Sequence, residues 1–343
     1  MTDHHPFANA ATADEAMLRK HVRGKSDDWP PQHLRGEDMK IFLTGATGYI
    51  GSVIAEKLLH AGHEIVGLAR SDESAATLTD RGITPHRGDV NLPDTLTIAA
   101  RAADGTIHTA FDTSSGDFAT ANAVEAKAVD ALIAGLQGSG KPLVLTSGTG
   151  VLGNTGDVVY DEDTPIAPAD NPAVKALQMR LDVEQAVLTA PELRGVVLRP
   201  PNVYGRGDGE MVFWMLRAAA QRLGAVPYAV GTELNRWSFV HVDDLADLFV
   251  LAVEKAPGGE LFHAGAQSGI RTGDIATAIS HGMGLGGKTT AMSLPELEEA
   301  LGMPAMAHYW AGNSQSSGDK ARRVLGWSPQ HLDLVAEVSS TPV

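Results

Sequence analysis

Short apolar runs alternate with amphipathic stretches between residues 39 and 199. The apolar runs predict buried strands at Ile41–Leu43, Glu64–Ala69, Ile83–His86, Gly105–Ala110, Pro142–Thr146 and Gly195–Leu198. The stretches between them predict helices at Gly48–His60, Ser74–Thr79, Thr95–Ala102, Phe118–Leu136 and Ala173–Leu188. Short strands separated by helices form parallel sheets covered on both faces, so the expected fold is a doubly wound α/β sheet.

The regular alternation loosens after Pro200. Helices are predicted at Glu210–Arg222 and Val242–Glu254, with a strand at Trp237–Val240 between them. We therefore predict a main domain over 39–205, with 235–265 packing back on it, and a smaller C-terminal lid over 206–234 and 266–343. Residues 1–38 carry few apolar side chains and are predicted to be a poorly ordered extension, with a docking arm as the alternative.

Composition excludes several classes of function. The formal net charge of -15 disfavours nucleic acid and anionic membranes as partners. The chain contains no cysteine, which excludes disulfides and thiolate chemistry and is typical of a cytoplasmic protein. Because no run of about 18 apolar residues and no cluster with metal-ligand spacing occurs, neither a membrane span nor a bound metal is predicted.

A glycine-rich segment, TGATGYIG at 44–51, ends the first predicted strand and opens the first helix. In this spacing Gly45 permits a tight turn, Gly48 admits a pyrophosphate close to the backbone, and Gly51 lets the helix pack on the strand. The helix N-terminus then offers N–H groups to phosphate. We predict a Rossmann-type NAD(P)-binding domain whose loop contacts come from Gly45, Thr47, Gly48, Tyr49, Ile50 and Gly51.

The end of the second strand indicates which dinucleotide is preferred. A carboxylate there would bind the ribose 2′-hydroxyl of NAD. Here the strand ends with Arg70 and Ser71, and the first carboxylate is Asp72. Because Arg and Ser can hold a 2′-phosphate through charge-assisted hydrogen bonds, the sequence favours NADP over NAD.

Several separate motifs from residue 39 onward resemble the extended short-chain dehydrogenase/reductase family, which includes NAD-dependent epimerases and dehydratases. Besides the glycine loop they are GDV at 88–90, IHTA at 107–110, RPPNVYG at 199–205, FVHVDDLA at 239–246 and KARRVLGWSP at 320–329. The resemblance implies that Asp89 and Val90 contact the adenine. It also implies that Thr109, Ala110 and Pro200 lie along the cofactor, and that the lid binds a small-molecule substrate.

The chemistry of this family uses a Tyr-x-x-x-Lys pair on one helix, in which the Tyr acts as acid or base. The helix expected at 171–188 contains no tyrosine, and matching its end to the family places Ala176 and Arg180 at the two positions. A shifted match gives Asn171 and Lys175, again without tyrosine. The chain therefore resembles the atypical branch of the family, with an intact cofactor half and a missing proton-transfer pair.

Other side chains are candidates for the missing chemistry. The family also uses a strand hydroxyl, which falls on Gly148, but the neighbouring Ser147 and Thr149 could bind a substrate carbonyl. Tyr160 is the candidate substitute acid, and Arg180 could bind a ribose or a substrate oxyanion. For each of them a purely structural role is the alternative.

A further set of residues has both functional and structural interpretations. His108 could polarise a carbonyl or pack in the core, whereas Tyr204 and the His241–Asp244 segment are predicted to be structural. Aromatic and methionine side chains in the lid predict either an apolar substrate wall or a lid core: Trp214, Met215, Tyr228, Met303, Met306, Tyr309 and Trp310.

Three functions are compatible with these residues. The favoured one is an atypical NAD(P)H-dependent oxidoreductase acting on a small, partly apolar carbonyl compound. A non-catalytic NAD(P)-binding redox sensor is the second. A sugar-nucleotide epimerase or dehydratase is the third, and the absence of the tyrosine counts most against it. The resemblance further implies a homodimer that pairs Phe118–Leu136 and Ala173–Leu188 across a two-fold axis.

Overall fold

A computed structural model describes residues 38–112, 118–209 and 211–340. Its strands are β1 (Lys40–Thr44), β2 (Glu64–Ala69), β3 (Thr84–Arg87), β4 (Gly105–His108), β5 (Pro142–Thr146), β6 (Arg194–Arg199), β7 (Asn202–Gly205), β8 (Asp208–Gly209), β9 (Val226–Ala229), β10 (Arg236–His241), β11 (Glu260–His263), β12 (Gln267–Arg271) and β13 (Thr289–Met292). The extension predicted over 1–38 lies, apart from Asp38, outside the described residues.

The helices follow the strands in the expected alternation. They are α1 (Tyr49–Ala61), α2 (Asp72–Asp80), α3 (Pro93–Ala102), α4 (Phe118–Leu136), α5 (Pro172–Gln178), α6 (Arg180–Thr189), α7 (Met211–Leu223), α8 (Val242–Lys255), α9 (Thr272–Gly282), α10 (Leu294–Leu301), α11 (Pro304–Trp310), α12 (Asp319–Leu325) and α13 (Leu334–Ser340). The single helix predicted over 173–188 is interrupted at Met179, so α5 and α6 are separate. No helix in the described parts of the chain is long and apolar enough to cross a bilayer.

The main sheet has seven parallel strands in the order β11-β6-β5-β4-β1-β2-β3, which confirms the doubly wound, Rossmann-type α/β fold. Side chains that alternate along β1 enter opposite faces of the sheet. Ile41 and Leu43 pack with α1 and α8, whereas Phe42 packs with α3, α4 and α6. The strand order reverses between β1 and β4, and the carboxyl ends of parallel strands at such a point border a ligand crevice.

The C-terminal part has a core of its own, built around Trp237, Phe239 and Trp310. Two smaller sheets support it, in the orders β12-β10-β7-β8 and β13-β9. One part of the lid predicted over 266–343 packs elsewhere, because Ala321 of α12 and Trp327, which follows that helix, join the core of the main sheet. The indole of Trp327 donates to the carbonyl oxygen of Asp244 at 2.7 Å.

Candidate active site

The glycine loop forms a turn in which side chains have no room. Gly45 has a φ of 73°, and a Cβ there would lie 2.5 Å from Oγ1 of Thr109. A Cβ on Gly51 would overlap the carbonyl oxygen of Gly45. Gly48 caps α1 in an extended conformation, and no side chain occupies the cap. The helix N-terminus therefore faces the crevice uncovered, which fits the pyrophosphate of a dinucleotide.

Thr44 joins the ends of β1 and β4 beside this loop. Its hydroxyl accepts from the backbone N–H of Thr109 and of Ala110, each at 3.2 Å. Because the hydroxyl accepts twice, it donates its proton to Nδ1 of His108 at 2.8 Å. Burial, reinforced by the charge of Arg180, lowers the pKa of His108 to about 4. His108 is therefore a neutral, packed histidine, as the structural interpretation predicts.

The loop borders a cleft of about 720 Å³. All predicted cofactor residues except Ser71 line it: Gly45, Thr47, Gly48, Tyr49, Ile50, Gly51, Arg70, Asp89, Val90, Thr109, Ala110 and Pro200. Asp89 is held by its own turn, where one carboxylate oxygen accepts from the backbone and side-chain N–H groups of Asn91 at 2.8 Å. The structure thus brings together residues that lie far apart in the sequence.

The end of β2 differs from the sequence prediction in one detail. Ser71 does not line the cleft, because its hydroxyl caps α2 and accepts from the N–H of Ser74 at 3.1 Å. Ser74 lines the cleft in its place. Arg70 is exposed at the cleft, and no described residue pairs with its guanidinium, whereas Asp72 is ion-paired with Arg87. At the end of β2, the positive charge of Arg70 is therefore available to a ligand, and the negative charge of Asp72 is neutralised by Arg87.

The opposite wall contains a buried polar chain behind β5. Ser147 donates to the carboxylate of Glu184, which Arg199 holds through Nε at 3.0 Å and Nη2 at 2.5 Å. Nη1 of Arg199 lies 3.3 Å from Nε2 of His263. Burial and the charge of Arg199 lower the pKa of His263 to about 3, so the ring stays neutral and accepts from the guanidinium. Ser147 is thus fixed as a donor to Glu184.

Arg180 is also committed to protein contacts. Its Nη2 donates to Glu125 at 2.6 Å and to the carbonyl oxygen of Thr146 at 2.7 Å. Its guanidinium lies 4.3 Å from the ring centroid of Phe111. Burial raises the pKa of Glu125, and the charge of Arg180 opposes this rise. Arg180 still lines the cleft beside Phe111, so it can meet a ligand only as part of this cluster.

The side-chain hydroxyl of Thr149 makes no hydrogen bond within the described residues. It is 2% exposed and lines the cleft at the start of a short 3₁₀ turn after β5. Among the described residues, neither its Oγ1 nor Nδ2 of the cleft-lining Asn202 has a hydrogen-bond partner. Buried polar groups are normally paired, so these two atoms are candidates for binding a polar group of a ligand.

The candidate acid Tyr160 does not line the cleft. Its backbone pairs with Ser316, and its carbonyl oxygen accepts from the N–H of Ser317 at 2.8 Å. Tyr309 lines the cleft instead, on α11 of the lid. Its hydroxyl shares a 2.9 Å hydrogen bond with Ser314. Sequence reasoning placed Tyr309 only among the apolar lid residues, since nothing in the local pattern signals where α11 docks.

Most of the other lid residues named from the sequence form the lid core. Trp310 and Met215 are buried in it, and Met306 and Tyr309 line the cleft. Tyr204 is buried, and its hydroxyl donates to the carbonyl oxygen of His331 at 3.0 Å. Burial raises the pKa of Tyr204.

The His241–Asp244 segment anchors the start of α8, which is the structural role predicted for it. His241 caps α8 by accepting from the N–H of Asp243. Asp244 accepts from the backbone of Gln330 and of His331, each at 2.9 Å. Asp244 therefore ties the C-terminal segment to α8, and His241 fixes the start of that helix.

Comparison with known proteins explains this arrangement. The model of the NAD dependent epimerase/dehydratase family matches residues 41–265. An uncharacterized protein of Schizosaccharomyces pombe is 35% identical over 88% of this chain and 99% of its own length. The chain belongs to the NAD dependent epimerase/dehydratase family. This family binds a nicotinamide cofactor, and the glycine cradle, the uncapped helix α1 and the cleft-lining Asp89 fit such a group.

Members of the epimerase/dehydratase family and their structural neighbours carry out different reactions. A ketoreductase of Stigmatella aurantiaca that acts on a farnesylated quinoline oxide is 27% identical over 84% of this chain and 92% of its own length. The crystal structure of dTDP-glucose 4,6-dehydratase from Bacillus anthracis in complex with NAD is 17% identical, with a TM-score of 0.67 over 88% of this chain and 95% of that chain. The latter likeness concerns the fold alone.

Proposed function

We propose that this protein is an atypical NADPH-dependent oxidoreductase that reduces a carbonyl-type group on a small, partly apolar molecule. The observation that carries the proposal is the cleft, which extends beyond the cofactor residues to unpaired polar atoms and an apolar wall. Thr149 and Asn202 would receive the polar group, and Phe111 and Met306 would contact the apolar part.

The choice of NADPH rests on the corner at the end of β2. Arg70, whose guanidinium is unpaired among the described residues, and Ser74 both line the cleft there. A 2′-phosphate would receive charge-assisted hydrogen bonds from Arg70, and the ion pair of Asp72 with Arg87 reduces repulsion. NAD remains the less favoured alternative.

The proton must come from an unusual source, because α5 and α6 contain no tyrosine. A bound nicotinamide cofactor would supply hydride. We assign carbonyl binding to Thr149, whose hydroxyl is otherwise unpaired among the described residues, and proton donation to Tyr309. Ser147 and Arg180 support the wall through Glu184 and Glu125.

Turnover tests this function directly. NADPH oxidation would be followed against a panel of aldehydes, ketones and enones. Thr149→Ala and Tyr309→Phe should each lower turnover by ~100-fold or more, the range of a lost acid or oxyanion donor, with unchanged NADPH affinity. Tyr160→Phe is the matched control and should be neutral. If both cleft variants turn over normally, the site assignment fails.

The redox sensor stays the second candidate because the charged groups near the usual catalytic helix are locked in protein contacts. Tight NADPH binding without turnover of any panel member would favour it.

We also propose a homodimer that pairs α4 with α5 and α6 across a two-fold axis. The outward side of α4 carries the small residues Ala123 and Ala134, and Met179, just before α6, is 43% exposed. Small side chains permit close helix pairing. Light scattering that reports a monomer at micromolar concentration would contradict this assembly.

A further inference from the structure

A second concavity lies apart from the main cleft, on the β10–β12 sheet. It has a volume of about 390 Å³ and is lined by Val159, Arg236, Ser268, Gly269, Arg271 and Gln315. None of these residues lines the main cleft. Trp237 and Phe239 of β10 enter the lid core, so the alternation of the strand turns Arg236 to the other face. The concavity is therefore a separate feature of the protein.

Two arginines oppose each other at this concavity. Arg236 and Arg271 are Cα partners in the antiparallel pairing of β10 with β12, and both are exposed. Like charges that lie directly opposite each other on neighbouring strands destabilise a sheet. A pair of residues that destabilises the sheet suggests a functional role. An anion bound between the two guanidinium groups would be attracted to both and would offset their mutual repulsion.

The charge of the two arginines is not neutralised by the protein. Within the parts of the chain that the structure describes, no carboxylate forms an ion pair with Arg236 or Arg271. An isolated surface arginine is ordinary, and Arg323, which has no partner among the described residues, is an example. A facing pair at one concavity is not ordinary in a chain whose formal net charge is -15.

Polar groups complete the floor of the concavity. Gln315 is 2% exposed, and its side-chain amide donates to the carbonyl oxygen of Gly156 at 3.3 Å. The hydroxyl of Ser268 lies 2.8 Å from that of Ser238, which holds it in place. The site thus combines two exposed guanidinium groups with polar atoms that are positioned by the fold.

We propose that this concavity binds a small dianionic oxyanion, a phosphate or a dicarboxylate, between Arg236 and Arg271. A guanidinium presents a planar fork of N–H donors that matches both headgroups. The proposal is independent of the oxidoreductase function, because it needs neither cofactor nor substrate.

Calorimetric titration of the full chain with inorganic phosphate, and separately with succinate, tests the site. Arg236→Gln and Arg271→Gln should each weaken binding by about tenfold or more, since a charge-assisted hydrogen bond is worth at least that factor. Arg323→Gln, which removes the same charge elsewhere, should bind as the unaltered protein does. The more tightly bound probe identifies the headgroup.

Arg70→Gln separates this site from the main cleft. If phosphate binding is lost in Arg70→Gln and kept in Arg271→Gln, the anion binds the cleft and the proposal is overturned. Equal binding by all variants, or no binding at millimolar concentration, overturns it too. Thermal unfolding is a second readout: without added anion at low salt, Arg271→Gln should raise the midpoint relative to Arg323→Gln, and phosphate should abolish the difference.

Discussion

The two walls of the main cleft differ in what their side chains do. On the wall of β1 and α1, the glycines at 45, 48 and 51 keep side chains away, and α1 begins without a side-chain cap. On the wall of β5 and α6, polar and charged side chains are tied together in pairs: Ser147 with Glu184, and Arg180 with Glu125. The first wall, which we call the glycine wall, is shaped to receive a ligand. The second, which we call the charged wall, is held together by hydrogen bonds and ion pairs between its own side chains.

This difference predicts different consequences for mutations. At Gly48 a substitution should affect binding more than folding, because a Cβ there meets only the carbonyl oxygen of Gly45 at 3.3 Å, whereas a Cβ on Gly45 or Gly51 would collide with neighbouring atoms of the fold. A substitution on the charged wall should affect folding more than binding, because a buried charge would lose its partner.

The largest effect is expected from Glu184→Ala, which leaves Arg199 buried without its carboxylate. The free energy of unfolding should fall by about 3–5 kcal/mol, as it does when one partner of a buried ion pair is removed. Urea denaturation measures it. Glu299→Ala, at an exposed position on α10, is the control and should change stability by less than ~0.5 kcal/mol. Equal stabilities would refute a structural role for the charged wall.

The next effect concerns pH and His108. Its folded pKa of about 4 lies below the ordinary value of 6.5, so the unfolded chain binds more protons between these values. The contribution of neutral His108 to the free energy of unfolding is fully present above pH 6.5. About 3 kcal/mol of that free energy is lost as the pH falls from 6.5 to 4.

Urea denaturation of His108→Gln and of the unaltered protein at pH 7 and pH 5 measures how the free energy of unfolding changes with pH. The variant should lose less stability over that interval than the unaltered protein. Asp247, whose burial raises its pKa to about 6, acts in the opposite direction, but it is present in both proteins and cancels. Identical slopes would mean that His108 is charged or exposed.

A smaller effect is expected from Gly48→Ala on the glycine wall. Its nearest neighbour would be the carbonyl oxygen of Gly45 at 3.3 Å, a close contact that we expect a small shift to relieve, and Gly48 lines the cleft. Cofactor affinity should fall by about 10–100-fold, with little loss of stability. Gly258→Ala meets a similar 3.3 Å contact outside the cleft and serves as the matched control. A large loss of stability without loss of affinity would break the contrast between the walls.

Arg70→Gln should give the smallest effect. NADPH affinity should fall by about tenfold, as expected for one exposed charge-assisted hydrogen bond, and NADH affinity should not change. Calorimetry with both cofactors measures the ratio. Arg81→Gln, another exposed arginine, controls for net charge. An equal loss for both cofactors would remove the preference for NADPH.

The sequence alone determined the fold class, the cofactor loop and the family. These follow from short-range patterns: strands and helices have different periods, and the glycine loop needs φ values and spacing that neighbouring residues encode. Residues such as Asp89 and Thr109 could be placed at the cleft because their motifs, GDV at 88–90 and IHTA at 107–110, resemble those of the family.

Only the tertiary structure decided how the second wall is used. Glu184 pairs with Ser147 and Arg199, which lie 37 and 15 residues away in sequence. The docking of α11 brings Tyr309 to the cleft, while pairing with Ser316 keeps Tyr160 out of it. Such contacts depend on how separate elements pack, and no local pattern of residues encodes the partner that a side chain meets after packing.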